Sequence, residues 1–121
     1  MNKKILIVDD EEHMIRLLQF ALKPVAAEIT ALKRGEAAVG HLESHPVDLV
    51  ILDYSMPGLN GVETLRSIRS TPGGERLRVI MLTARDQTAI RQEAAGLNVE
   101  AFLTKPFSPS DLVRRARELL A

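Results

Sequence analysis

The chain has 121 residues, with 16 Lys+Arg balanced by 16 Asp+Glu, and it contains neither cysteine nor tryptophan. That length holds one domain with a core of its own, while the missing cysteines exclude a disulfide scaffold, a thiolate metal site and a cysteine nucleophile. A formal charge of zero argues against a dedicated nucleic-acid binder, and no apolar run approaches the ~20 residues of a membrane span.

The first apolar block, Ile5 to Val8, follows Lys3 and Lys4 and is cut off by Asp9 and Asp10, too soon for the core of a signal peptide. The chain is therefore expected to be cytoplasmic, with no direct nucleic-acid or membrane binding. Ile15, Leu18 and Leu22 mark the apolar stripe of a first helix, which Lys23-Pro24 stops. Ala26 to Ala31, with Glu28 and Thr30 interleaved, reads as a second, more polar strand at a sheet edge, and Arg34 to Leu42 as a second helix. Leu49 to Leu52 is a third strand. Asn60 caps a third helix with Val62, Leu65 and Ile68 on one face, and Thr71-Pro72-Gly73-Gly74 closes it, leaving Thr71 to Arg76 as the one mobile-looking loop. Val79 to Leu82 is a fourth strand, followed by a helix that Asp86 caps and Gly96 ends, with a thin apolar face of Ile90, Ala94 and Leu97. Ala101 to Leu103 is the fifth strand. Ser108-Pro109 opens the last helix, whose Leu112, Val113, Ala116, Leu119 and Leu120 face inward.

Strands that are apolar without alternation must be covered on both faces, as in a parallel sheet. Five strand–helix repeats with right-handed crossovers predict an α/β, doubly wound, five-stranded parallel sheet. Ligands of such sheets bind beyond the carboxyl ends of the strands. There the sequence places Asp9 and Asp10, Asp53, Thr83 and Lys105. Three carboxylates in one crevice repel one another unless a cation sits among them, and an all-oxygen ligand set suits Mg²⁺. A lysine and a hydroxyl at the rim suit a phosphoryl group, which an aspartate can carry as an acyl phosphate. Each of these residues alone is a common way to end a strand; all five at matching ends are poorly explained by coincidence.

Ile7-Val8-Asp9-Asp10-Glu11, Leu52 to Gly61, Leu82-Thr83-Ala84 and Leu103-Thr104-Lys105-Pro106-Phe107 resemble the signature segments of CheY-like receiver domains, the phosphoacceptor modules of two-component response regulators. The resemblance spans essentially the whole chain and implies one receiver domain over 1–121, a flavodoxin-like (βα)5 fold and strand order 2-1-3-4-5. It further implies that Asp53 accepts a phosphoryl group from a histidine kinase. Asp10 and Asp53 would bind Mg²⁺ directly and Asp9 through water, joined by the backbone carbonyl of Ser55. Lys105 would pair with one phosphoryl oxygen and Thr83 would hydrogen-bond another. Phe102 matches the switch aromatic, Ser55 and Arg85 sit where such domains tune hydrolysis of the acyl phosphate, and the peptide before Pro106 is expected to be cis. The output surface would lie around helix four, strand five and helix five, read by an output domain or target protein. That surface also serves a possible phosphorylation-dependent homodimer, with Arg91–Asp111 and Glu100–Arg115 as candidate bridges.

Other function classes fit less well. An aspartate-nucleophile phosphatase or phosphotransferase of the haloacid-dehalogenase type needs a second acid two residues after the nucleophile, and that position is Ser55. A flavodoxin-like electron carrier would want aromatics against the flavin, where this chain has one tyrosine and three phenylalanines. A degenerate receiver that only binds partners would not need the intact acid, threonine and lysine set. A receiver excised from a larger regulator, with a DNA-binding or enzymatic output, is equally compatible with the sequence.

Overall fold

Branched aliphatics at consecutive positions put apolar side chains on both faces of every central strand, and the fold covers both. The computed structural model describes residues 2–84 and 87–121. The strands are β1 (Lys4–Val8), β2 (Glu28–Leu32), β3 (Leu49–Asp53), β4 (Arg78–Thr83) and β5 (Ala101–Thr104). They pair in parallel as one sheet of order β2-β1-β3-β4-β5. The helices are α1 (Glu12–Ala21), α2 (Gly35–Ser44), α3 (Gly61–Arg69), α4 (Gln87–Glu93) and α5 (Pro109–Leu120). This is the flavodoxin-like doubly wound fold predicted above.

Alternation along each strand feeds two cores. Ile5, Ile7, Leu49, Ile51, Ile80 and Leu82 pack with Ile15 and Leu18 of α1 and with Leu112, Ala116 and Leu120 of α5. Leu6, Val8, Val50, Leu52, Val79 and Met81 pack on the other side with Ala38 of α2, Val62 and Leu65 of α3, and Ala94 just after α4. Each fully buried aliphatic contributes about 1.5–3 kcal/mol, so the two layers fix the register that carries the strand ends.

The helix starts follow their sequence signals closely. Asn60 accepts the Glu63 N–H (2.8 Å) while Glu63 accepts the Asn60 N–H (2.9 Å), a complete capping box. Ser108 accepts the Asp111 N–H at 3.3 Å, with Pro109 in the first helical turn. Asp86, expected to cap α4, lies outside the described residues, as does Arg85.

Two boundaries and one segment differ from the sequence reading. β2 starts at Glu28, not Ala26, because Lys23–Val25 form a 3-10 turn that ends with Ala26 in the left-handed region (φ 58°). α4 ends at Glu93, and the chain then turns through Gly96, whose φ of 86° suits a residue without a Cβ. The segment Thr71 to Arg76 is not loose. It contains a 3-10 turn (Gly74–Arg76), and the Arg69 guanidinium donates to the carbonyls of Gly74 (2.7 Å) and Leu77 (2.5 Å). Arg69 also donates to Leu97 (2.8 Å) and Asn98 (2.9 Å), tying α3 to the segment before β5.

Candidate functional site

The site forms where the sheet register brings the strand ends level. Val8 is level with Leu52, Asp53 with Leu82, and Thr83 with Thr104. The residues one step beyond therefore converge at the carboxyl edge. Backbone bonds extend the sheet past its strands there: Asp9 N–H to Leu32 O (3.0 Å), Tyr54 N–H to Leu82 O (2.9 Å) and Lys105 N–H to Thr83 O (2.7 Å).

Gly61 brings α3 against this edge. Its N–H donates to Tyr54 O at 2.8 Å, and an added Cβ would stand 2.7 Å from Asp53 O and 2.8 Å from Tyr54 Cα. Both are backbone atoms that cannot swing away. Gly61→Ala is expected to lower unfolding free energy by about 3 kcal/mol, read by urea denaturation. Wild-type stability in that variant would show that the α3 entrance has more room than these distances allow.

Asp9 and Asp53 are buried, 0% and 2% exposed, and Asp10 is half-buried. One carboxylate oxygen from each lies within 4.8 Å of the others. The Lys105 ammonium reaches into the cluster, 3.0 Å from Asp53 Oδ1 and 3.3 Å from Asp9 Oδ2, with Glu11 Oε1 at 3.8 Å. Asp9 Oδ1 accepts the Glu11 N–H (2.9 Å), and Asp53 Oδ1 accepts the Ser55 N–H (3.4 Å). Burial and the neighbouring Asp9 charge push the Asp53 carboxyl up from the usual 3.8 to about 6, against the pull of Lys105 and the Ser55 N–H. Burial likewise raises Asp9, although the Glu11 N–H and Lys105 oppose it. Burial disfavours the charged Lys105, but Asp53 and Asp9 outweigh that and raise its pKa.

One ammonium therefore does not neutralise the cluster. Negative charge is left over among hard oxygen donors, the environment a divalent cation fits.

The remaining predicted residues fall around this cluster. Thr83 is fully buried at the end of β4, one residue past the partner of Asp53. Ser55 is exposed on the loop after β3. The Lys105–Pro106 peptide is cis, as expected. Phe102 is half-buried on β5 against the second core, with the Arg91 guanidinium 4.4 Å over its ring. Of the proposed dimer bridges, Asp111 pairs with Arg114 on its own helix, and Glu100 accepts the Val79 N–H at 3.0 Å. Those two carboxylates thus already have partners within one chain.

Two features had escaped the sequence reading. Glu11, which the sequence shows only as the last residue of the first signature segment, extends the acidic cluster towards Lys105. Tyr54, beside Asp53, donates its hydroxyl to Glu93 Oε1 at 2.8 Å.

A doubly wound α/β sheet with buried acids and a lysine at its carboxyl edge defines the class of CheY-like signalling modules. The model of the response regulator receiver domain matches residues 5–117, and the chain belongs to that family. It is 37% identical to the phosphate regulon transcriptional regulatory protein PhoB of Rhizobium meliloti over 120 residues, covering 99% of this chain and 53% of that protein. Among solved structures it resembles the Francisella response regulator 1452 receiver domain (27% identity, TM-score 0.87, covering 98% of this chain and 97% of that one). It also resembles a beryllofluoride-activated DrrB receiver domain (25% identity, TM-score 0.85, covering 99% and 98%). The chain spans about half the length of the curated relatives it matches. As a receiver domain of two-component response regulators, it is a signalling module. Among the described residues no helix is long and apolar enough to cross a membrane.

Proposed function

We propose that Asp53 is the phosphoacceptor and that the whole chain is one receiver unit acting in the cytoplasm. The observation that carries this is a buried carboxylate that shares an ammonium with Asp9 and whose pKa is pushed to about 6. An oxygen of Asp53 attacks the phosphorus of a phosphohistidine on the kinase; the P–O bond forms, the P–N bond breaks, and the imidazole leaves and takes up a proton. Asp9, Asp10, Asp53 and the Ser55 carbonyl are the residues that would hold Mg²⁺. When bound, the ion neutralises the acids and stabilises charge on the phosphoryl oxygens in flight. Lys105 is placed to pair with the phosphoryl group, and Thr83 to hydrogen-bond it. Ser55 and Arg85 set how fast water returns the group to solution.

Phosphorylation replaces one carboxylate charge by a dianionic group with new acceptors. Drawing Thr83 and Lys105 towards it shifts the loops after β4 and β5 and biases α4, β5 and Phe102 towards a second arrangement. A downstream output domain or target protein reads that surface, and a phosphorylation-dependent homodimer through α4, β5 and α5 is one such reader. The chain does not turn over an independent substrate, because no second acid stands at position 55 to protonate a leaving group.

Incubation with acetyl phosphate and Mg²⁺ tests this reading by intact mass. One phosphoryl group per chain, labile to hydroxylamine and to base, is expected. No modification would favour a receiver that only binds partners, and sustained hydrolysis of a small phosphate ester would favour an enzyme.

A further inference from the structure

Tyr54 joins three elements at a point one residue from the proposed phosphoacceptor. Its N–H is held by Leu82 of β4 and its carbonyl by Gly61 at the start of α3. The half-buried ring carries the hydroxyl out to α4, where it donates to Glu93 Oε1 at 2.8 Å. Asn60, whose side-chain oxygen caps α3, donates its Nδ2 to the same phenolic oxygen at 3.5 Å. The Arg66 guanidinium donates to the Glu93 carbonyl, also at 3.5 Å.

The apolar grip on α4 is thin: no residue of the helix is fully buried, and Ala94 just beyond it is the buried contact. Half-buried Ile90 on the second core and Arg91 over Phe102 are its other holds there, so a bond to a charged acceptor adds appreciably to a light grip.

We propose that the Tyr54–Glu93 hydrogen bond is a latch that holds α4 in the arrangement in which Lys105 is paired with Asp53, making Tyr54 a positioning residue for the switch. This rests on the reading of Asp53 as the phosphoacceptor. A bond present in only one of two arrangements stabilises that one, so its loss eases the transition and tightens binding of whatever selects the other. Beryllofluoride with Mg²⁺, the probe that mimics the phosphoryl group, is expected to bind Tyr54→Phe about threefold more tightly than wild type by titration calorimetry. Glu93→Ala, on the other side of the latch and away from the carboxylates, is expected to show the same gain. The double variant is expected to gain no more than either single one. Glu93→Gln, whose carbonyl still accepts, is expected to keep wild-type affinity. Amides over residues 88–97 are expected to exchange faster in Tyr54→Phe while β1 and β3 are unchanged. Wild-type protein that binds the probe while both single variants bind it equally well or less well would overturn the latch. Additive gains in the double variant would overturn it too. Wild-type protein that does not bind the probe would instead overturn the reading of Asp53.

Discussion

Asp53→Asn is expected to abolish labelling by acetyl phosphate and, without metal, to make the protein more stable by about 2 kcal/mol at pH 7.5. The two effects arise from one group. The Asp53 carboxyl titrates at about 6 in the folded chain, raised from its usual 3.8 by burial and by Asp9. Below pH 4 it is protonated whether folded or not and contributes no pH dependence. Between pH 4 and 6 the folded chain holds more protons than the unfolded one, so metal-free stability falls as pH rises, and above pH 6 the full cost remains. An asparagine removes the charge and with it that part of the slope. Mg²⁺ binding to the wild type is expected to offset the same cost by mass action, so the variant's advantage shrinks in millimolar Mg²⁺. Thermal unfolding from pH 4 to 8, with and without Mg²⁺, reads all of this. A metal-free variant no more stable than wild type at pH 7.5 would mean that Lys105 alone neutralises the cluster.

Lys105→Ala is expected to act in the opposite direction. Its ammonium stands 3.0 and 3.3 Å from two buried carboxylates, and removing it leaves them facing each other. Breaking one side of a buried ion pair costs about 3–5 kcal/mol; with Asp10 and Glu11 at the more open rim, about 3 kcal/mol is expected at pH 7.5 without metal. At pH 5 the deficit is expected to shrink below about 1 kcal/mol, because the Asp53 carboxyl, which titrates at about 6, is then largely protonated and needs less neutralisation. Mg²⁺ is expected to restore most of the loss at pH 7.5. The variant is expected to fold in metal but to transmit phosphorylation weakly, since no ammonium is drawn to the new oxygens. An equal deficit at both pH values would show that the lysine stem, not its charge, is what matters; unaltered output would remove its role in the switch.

The sheet was legible because both of its faces are covered, so its strands announce themselves as unbroken aliphatic blocks such as Ile5 to Val8. The candidate site was legible for a related reason: polar residues one or two steps after such a block must stand at the carboxyl edge, and Asp53, Thr83 and Lys105 do. Caps at Asn60 and Ser108 were readable because each is a local bond spanning three residues. What escaped was non-local or conformational. Ala26 adopts a left-handed turn that alanine gives no sign of, which moved the start of β2. Arg69 looks like an ordinary cation at the end of a helix, yet its four acceptors lie 5 to 29 residues away, and together they order the segment that composition alone marks as loose. Tyr54 and Glu93 are 39 residues apart, and only the tertiary fold brings them together.

Growth of crystals with beryllofluoride and Mg²⁺ tests the central claim most directly. Density for beryllium trifluoride, its beryllium bonded to an Asp53 oxygen, is predicted, with a metal ion held among Asp9, Asp10, Asp53 and the Ser55 carbonyl and with the Lys105 ammonium turned towards the fluorines. A carboxylate that stays bare and still paired with Lys105, in crystals saturated with both reagents, would contradict the account.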